Sequence, residues 1–196
     1  MAELWAIILA GGESKRMKAP KMLLPFKGKT IIEKVIENVT ASDVQKTMVV
    51  LGAEREAITN VIAGLPVSHI YNGNYKKGMF SSIICGLRAL PDDLEAVLVF
   101  QGDQPMIQSR TVNAVINAFR ESGKGIVMPV FSKKHGHPLL IDKKYRSEIE
   151  KLNPDDGLRS LATKFKNDVL EVEVEAPEIL RDIDTREDYL NEINQN

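Results

Sequence analysis

The chain of 196 residues has little cysteine and no long apolar run. Its one cysteine, Cys85, has no partner for an internal disulfide, which excludes a disulfide-stapled secreted domain and suits a reducing compartment. No apolar stretch reaches the roughly 18 residues of a membrane span, and acidic Glu3 stands where a signal peptide would be basic. We therefore expect a cytoplasmic protein with no membrane partner.

The sequence also lacks an excess of charge of either sign. It has 26 Lys and Arg residues against 27 Asp and Glu residues, a formal net charge of −1. Non-specific binding to nucleic acid depends on a strongly basic surface, so no nucleic-acid partner is expected. The 43% hydrophobic content is ordinary for a globular chain, and the length predicts one domain over residues 1–196.

Short apolar runs alternate with helical periodicity along most of the chain. This alternation of apolar strands with helices predicts an α/β fold with a mostly parallel sheet that is covered on both faces. The runs rich in Val, Ile and Leu that predict strands are 4–9, 47–51, 67–71, 96–100 and 125–130.

Local signals predict where several helices begin and end. Capping boxes at Thr30-x-x-Glu33 and Thr185-x-x-Asp188 predict two helix starts, Ser109 is expected to cap another helix, and Gly123 is expected to end it. After residue 131 the pattern is less regular, with helix-like segments near 143–152 and 156–166.

The most informative segment follows the first predicted strand. The apolar run ends in Gly11-Gly12, followed by Ser14, Arg16 and Lys21. Glycines allow backbone N–H groups to approach a ligand closely, and the two cations add donors for an anion. The spacing fits neither a Walker loop nor a dinucleotide fingerprint. The segment therefore predicts a distinct polyphosphate-binding loop at the carboxyl end of a strand.

Carboxylates in two later segments are candidate partners of that loop. Asp103 follows the strand predicted at 96–100, and open α/β sheets bind ligands where the strand order reverses. Its alternative role is to start a turn before Pro105. Asp182 and Asp184 form a second acidic pair, and two carboxylates with phosphate oxygens complete a shell for Mg²⁺. Spacing does not choose between this pair, and Asp184 could instead cap the last helix.

Several motifs in order resemble the MobA-like NTP transferase family, and in particular its molybdenum cofactor cytidylyltransferase branch. The resemblance covers nearly the whole chain and implies a Rossmann-like, three-layer α/β/α nucleotidyltransferase fold. It also implies transfer of CMP from CTP to the terminal phosphate of molybdopterin, with release of pyrophosphate. The motifs that carry it are Leu9–Met17 with Lys21, Gly78–Ser82, Gly102–Pro105, Gly136–Pro138, Asp155–Leu161 and Asp182–Asp188.

Roles for individual residues follow from these motifs and from the resemblance. Arg16, Lys21 and Asp103 are the predicted catalytic residues, and the resemblance assigns Mg²⁺ to Asp184 together with Asp103. His137 and Arg159 are predicted to contact the acceptor, although a loop histidine and a solvated arginine are the alternatives. The predicted nucleotide-binding residues are Leu9, Ala10, Gly11, Gly12, Ser14, Arg16, Lys21, Gly78, Ser81, Ser82 and Asp103. Of these, Ser81 and Ser82 are expected in a loop that reads the base.

The identity of the base is open between two branches. Gly11-Gly12 is more usual of the guanylyl branch, because the cytidylyl branch has a second alanine there, whereas Gly78–Ser82 and Gly136–Pro138 favour CTP. Tyr71 and Tyr75 are candidates to frame a pocket, and Cys85 is expected to be a core residue.

Other functions remain as alternatives. They are a guanylyltransferase on molybdenum cofactor, a sugar- or alditol-phosphate nucleotidyltransferase, and a nucleotide- or cofactor-binding module without catalysis. The short chain leaves little room for a sugar-binding insert, and the presence of both Asp103 and Asp184 disfavours a module that only binds. The expected partners are CTP or GTP, a molybdopterin-type acceptor, and a molybdenum hydroxylase or its maturation chaperone.

Overall fold

The computed structural model describes residues 3–194, which form one eight-stranded sheet with helices on both faces and a separate short hairpin. The strands are β1 (Leu4–Ala10), β2 (Pro25–Phe26), β3 (Lys29–Thr30), β4 (Lys46–Leu51), β5 (Ser68–Tyr71), β6 (Ala96–Gln101), β7 (Ile126–Phe131), β8 (Lys134–His135), β9 (Leu139–Asp142) and β10 (Val169–Glu173). The α-helices are α1 (Ile31–Thr40), α2 (Arg55–Ile62), α3 (Met79–Ala89), α4 (Ser109–Ser122), α5 (Arg146–Ile149), α6 (Arg159–Lys164) and α7 (Arg186–Ile193).

The sheet is mostly parallel, as the alternation of strands and helices predicts. The strand order is β10-β7-β9-β6-β1-β4-β5, and β8 pairs with β7. Strand β1 lies parallel to both β4 and β6, whereas β9 runs antiparallel between β6 and β7. The order of connections reverses at β1, because β4 and β5 extend the sheet on one side and β6 extends it on the other. Ligands of open α/β sheets bind at such a reversal.

Both faces of the central strands are buried. Successive residues of β1 contribute alternately to two apolar clusters, with Ile8 in one cluster and Ile7 in the other. The first cluster contains apolar residues of α1 and α4, and the second contains apolar residues of α3. The alternation follows from the two-residue period of a strand, and it produces the three-layer α/β/α arrangement of a Rossmann-like fold.

Most of the predicted helix boundaries agree with the structure. Capping boxes are present at both Thr30 and Thr185, and Gly123 ends α4 in the left-handed conformation. The prediction that Ser109 caps α4 is wrong: Gln108 is the N-cap, without a side-chain hydrogen bond, and Ser109 is already the first helical residue. Within residues 3–194, no helix has the length and apolar character that crossing a bilayer demands.

The loop after β1 packs directly against the end of β4. The Ala53 N–H donates to the Gly11 carbonyl over 3.3 Å. A Cβ atom on Gly52 would lie only 2.2 Å from that carbonyl oxygen, so no side chain fits at residue 52 while this loop keeps its position. Close approach of backbone to backbone therefore fixes where the loop begins.

Replacing Gly52 by Ala should lower the free energy of unfolding by about 1–3 kcal/mol, because the new methyl group overpacks a backbone contact. The matched control is Gly12→Ala, whose Cβ would meet no atom of the described residues within 4 Å. It should change stability by at most about 1 kcal/mol. Urea unfolding of both variants measures the difference, and equal stability would mean that the contact between residues 11 and 52 is not tight.

Candidate functional site

An open cavity of about 350 Å³ lies at the carboxyl ends of β1 and β6, at the reversal in strand order. The loop that follows β1, the start of α3 and the segment before α7 form its walls. The lining residues are Leu9, Gly11, Gly12, Glu13, Ser14, Lys15, Arg16, Lys21, Met22, Tyr75, Lys76, Gly78, Met79, Ser82, Gln101, Asp103 and Asp184.

Lys21 lies at the centre of a network of charges in this cavity. Its Nζ donates to Asp103 Oδ2 over 2.7 Å and to Asp184 Oδ1 over 3.0 Å. Arg16 Nη2 donates to the other oxygen of Asp184 over 2.7 Å. Two cations from the loop after β1 thus hold one carboxylate from the end of β6 and one from the segment before α7.

Lys21 keeps its positive charge in this setting. Burial of its ammonium group lowers the pKa, but the charges and hydrogen bonds of Asp103 and Asp184 outweigh burial and leave the pKa of Lys21 raised. The backbone N–H of Lys21 donates to the Ser14 hydroxyl over 3.3 Å, which anchors the loop on its other side. The cation is therefore both charged and held in place at neutral pH.

Asp103 and Asp184 have the chemistry of ligands for a hard divalent cation. Oδ1 of Asp103 is buried and has no hydrogen-bond partner among residues 3–194, which leaves a carboxylate oxygen available to a ligand. No group of three or more His, Cys, Asp or Glu side chains that could hold a metal occurs in residues 3–194. Carboxylate oxygens are ligands that Mg²⁺ takes, so Asp103 and Asp184 could supply two oxygen ligands to such an ion.

The structure shows which of the two aspartates, Asp182 or Asp184, belongs to the cavity, a choice that their spacing in the sequence leaves open. Asp184 lines the cavity and contacts both Lys21 and Arg16. Asp182 is exposed and does not line the cavity. Desolvation, and then repulsion from Asp103 and Asp184, raises the pKa of Asp182. The network of opposite charges therefore uses Asp184.

The two serines predicted in a base-reading loop lie instead in the first turn of α3, a correction to the sequence analysis. Gly78, with φ of 96°, allows the chain to turn into this helix. Ser82 is buried and lines the cavity, whereas Ser81 does not, and its hydroxyl donates to the Gly78 carbonyl over 2.8 Å. Ala10 is also buried and lies outside the lining, although Leu9 is part of it.

His137 and Arg159 do not line the cavity. His137 lies behind Gln101, whose amide nitrogen is 2.7 Å from His137 Nε2. Burial lowers the pKa of His137, so the neutral ring accepts the hydrogen bond from Gln101. Arg159 is exposed at the start of α6, close enough for its charge to lower the same pKa. His137 therefore reaches the cavity through Gln101.

Sequence reasoning did not single out Gln101, Met79 and Lys76 as site residues. Gln101 is the last residue of β6, two residues before Asp103. Its position at the carboxyl end of a strand therefore indicates that it could line the cavity, as it does. Tyr75 lines the cavity, but Tyr71 lies outside it, under the guanidinium of Arg55 at 4.6 Å.

Cys85 is half-buried and packs against the apolar cluster that contains α3. Burial raises the pKa of its thiol. Cys85 is expected to be a core residue, but in the structure it is only partly buried and lies at the edge of that cluster.

Replacing Lys21 by Met should lower the free energy of unfolding by about 3 kcal/mol, because it leaves two partly buried carboxylates without their shared cation. Lys76→Met is the matched control, since Lys76 lines the same cavity but is exposed, and it should change stability by less than about 0.5 kcal/mol. Urea unfolding at pH 7 checks both values. Equal stability of the two variants would contradict a structural role for the ion pairs.

Comparison with known proteins agrees with this architecture. Residues 6–169 match the family model described as the MobA-like NTP transferase domain. The chain is 27% identical over 192 residues to the molybdenum cofactor cytidylyltransferase of Escherichia coli, covering 97% of this chain and 95% of that protein. It is 33% identical over 135 residues to a probable molybdenum cofactor guanylyltransferase of Natranaerobius thermophilus. This match covers 69% of this chain and 63% of that protein.

A third relative has a different activity. The nicotine blue oxidoreductase of Paenarthrobacter nicotinovorans is 28% identical over 162 residues, covering 78% of each chain. Among solved structures, a nucleotidyl transferase from Methanothermobacter has a TM-score of 0.83 at 22% identity, covering 97% of this chain and 96% of that one. Rv0371c of Mycobacterium tuberculosis, solved in complex with manganese, has a TM-score of 0.79 at 21% identity over 100% of each chain.

Proposed function

Because the chain belongs to the MobA-like NTP transferase family, a family of nucleotidyltransferases, we propose that it transfers CMP from CTP to the terminal phosphate of molybdopterin and releases pyrophosphate. The observation that carries the proposal is the network of Lys21 and Arg16 with Asp103 and Asp184 at the reversal in strand order. Such a set of cations and carboxylates suits a triphosphate and its metal.

The reaction needs orientation and charge neutralisation more than a protein nucleophile. An oxygen of the acceptor phosphate attacks the α-phosphorus of CTP. A new P–O bond forms, the bond between the α-phosphorus and its bridging oxygen breaks, and pyrophosphate leaves with that oxygen. The acceptor is already an anion, so it requires no strong general base.

The residues of the loop after β1 would bind the triphosphate. Backbone N–H groups at Gly11 and Gly12 would donate to phosphate oxygens. Two N–H groups of Lys21 Nζ are used by Asp103 and Asp184, so the third would donate to phosphate. The planar guanidinium of Arg16 would add two parallel donors. All four donor residues line the cavity. Their contribution is to hold the α-phosphorus in place and to withdraw negative charge from it.

Asp103 and Asp184 would hold a Mg²⁺ ion. When bound, the ion would neutralise negative charge at the α-phosphate. The unpartnered Asp103 oxygen supports this assignment, and so does the manganese in the structurally similar mycobacterial protein. Lys21 and Arg16 would keep both carboxylates in position for the ion.

The assignment of the acceptor rests on the E. coli relative, which acts on molybdenum cofactor by its name and aligns with nearly the whole of this chain. Gln101 would contact the acceptor phosphate, with His137 fixing the orientation of the Gln101 side chain. Arg159 would add positive charge at the outer edge of the same region.

The second candidate is guanylyl transfer to the same acceptor. Gly11 favours it, because residue 11 is the position where the cytidylyl branch carries alanine. A Cβ atom on Gly11 would lie 3.1 Å from Ser82 Oγ, so this chain has slightly more room beside Ser82 than an alanine would leave. The relative from Natranaerobius supports the same alternative.

Replacing Asp103 or Asp184 by Asn should reduce turnover by about 10²–10⁴-fold, because each change removes a negative ligand from the metal. Asp182→Asn is the matched control, since Asp182 belongs to the same acidic segment but is outside the cavity lining. It should reduce turnover by less than about tenfold. A Mg²⁺-dependent rate near that of the wild type in either variant would remove that aspartate from the proposed metal shell.

Pyrophosphate release from each of the four nucleoside triphosphates tests the proposed function, measured with molybdenum cofactor, with a sugar phosphate and without any acceptor. The expected result is release from CTP that depends on the cofactor. Because the triphosphate is common to all four nucleotides, only contacts to the base can discriminate between them. Faster release from GTP would establish the second candidate. Release only with a sugar phosphate would overturn the acceptor.

A further inference from the structure

Asn72, at the end of β5, is a buried polar residue outside the cavity, only 3% exposed. Its backbone N–H donates to the Leu51 carbonyl over 2.9 Å, which fixes it to the neighbouring strand β4. Its side-chain Nδ2 lies 2.9 Å from Ser81 Oγ and 3.0 Å from Ser82 Oγ. One carboxamide thus connects the edge of the sheet to the first turn of α3.

The orientation of this carboxamide is determined by its surroundings. The backbone N–H of Asn74 donates to Asn72 Oδ1 over 2.9 Å, and a backbone N–H can only be a donor. The oxygen must therefore face Asn74, and the NH₂ group must face the two serines. Asn72 is consequently the donor in both contacts, and the serine oxygens are the acceptors.

This polarity has a different consequence for each serine. The Ser81 hydroxyl donates to the carbonyls of Asn74 and Gly78, so its proton is already used. The Ser82 hydroxyl has no acceptor in the described part of the chain, yet Ser82 lines the cavity. Its oxygen lies 3.1 Å from the point where a Cβ on Gly11 would stand, so it faces the loop after β1.

We propose that Ser82 donates a hydrogen bond to an acceptor atom on the base of the nucleotide, and that Asn72 is the positioning residue that makes Ser82 a donor. The proposal rests on the proposed function, since it specifies how that same cavity recognises its nucleotide. Cytosine and guanine both carry carbonyl and ring-nitrogen acceptors, so the contact serves either base.

The test uses whichever of CTP and GTP the wild-type protein binds more tightly, titrated by calorimetry without acceptor. Asn72→Asp keeps the shape of the side chain and the oxygen that accepts from the Asn74 N–H. It replaces the NH₂ group that faces the serines with an oxygen acceptor. The Ser82 hydroxyl would then donate its proton to the new carboxylate and not into the cavity. Both Asn72→Asp and Ser82→Ala should weaken nucleotide binding about tenfold, the loss of one hydrogen bond. The control is Asn113→Asp, whose amide oxygen accepts from the Asp43 N–H away from the cavity; it should bind as the wild type does.

Two further measurements separate positioning from a general structural effect. Tripolyphosphate, which has no base, should bind equally to wild type, Ser82→Ala and Asn72→Asp; weaker binding to Asn72→Asp would indicate charge repulsion or a distorted loop and overturn the proposal. The double variant Asn72→Asp/Ser82→Ala should bind nucleotide no more weakly than Ser82→Ala alone. If the affinity loss of the double variant equals the product of the two single losses, Asn72 does not act through Ser82.

The outcome is separable from that of the proposed function. Binding with the expected pattern but without pyrophosphate release would contradict the transferase and leave the role of Asn72 supported. Pyrophosphate release by the wild type, together with wild-type nucleotide affinity in Asn72→Asp, would support the transferase and overturn the role of Asn72. A wild-type protein that binds neither CTP nor GTP would overturn both.

Discussion

The site depends on one interaction, the pairing of the Lys21 ammonium with the carboxylates of Asp103 and Asp184. These residues come from three distant parts of the sequence, and only 9% of the Lys21 side chain is exposed. Two carboxylates placed so close together would repel each other without a cation between them. The ion pairs therefore allow both carboxylates to face the same cavity.

Backbone hydrogen bonds and a helix cap position the segments that carry Asp103 and Asp184. The Gly102 N–H donates to the Leu9 carbonyl over 3.0 Å, so Asp103 begins its turn beside the end of β1. The Ile183 N–H donates to the Asp103 carbonyl over 3.0 Å, which places Asp184 next to Asp103. The capping box of Thr185 with Asp188 then starts α7 directly after Asp184. Rigid hydrogen bonds between neighbouring segments thus position both carboxylates.

The sequence could predict the features that depend on local pattern. Apolar strands and helical spacing predicted the α/β class, and the motifs around Gly11 and Asp103 predicted residues that the structure brings into one cavity. It could not predict features that depend on tertiary packing. The direction of β9, the place of His137 behind Gln101, and the burial of Asn72 beneath α3 depend on contacts between residues far apart in the chain. Ser81 and Ser82 were expected in a loop, yet α3 begins immediately after Gly78 and contains both serines.

We propose that these two cations and two carboxylates form the binding site of a triphosphate and its metal. A crystal structure with Mn²⁺ and a non-hydrolysable CTP analogue tests it most directly, because manganese gives an anomalous signal. We expect a single strong peak between Asp103 and Asp184, with phosphate oxygens completing the metal shell and Lys21 donating to a phosphate. A manganese peak away from both carboxylates, or a nucleotide bound with its phosphates outside the loop after β1, would contradict it.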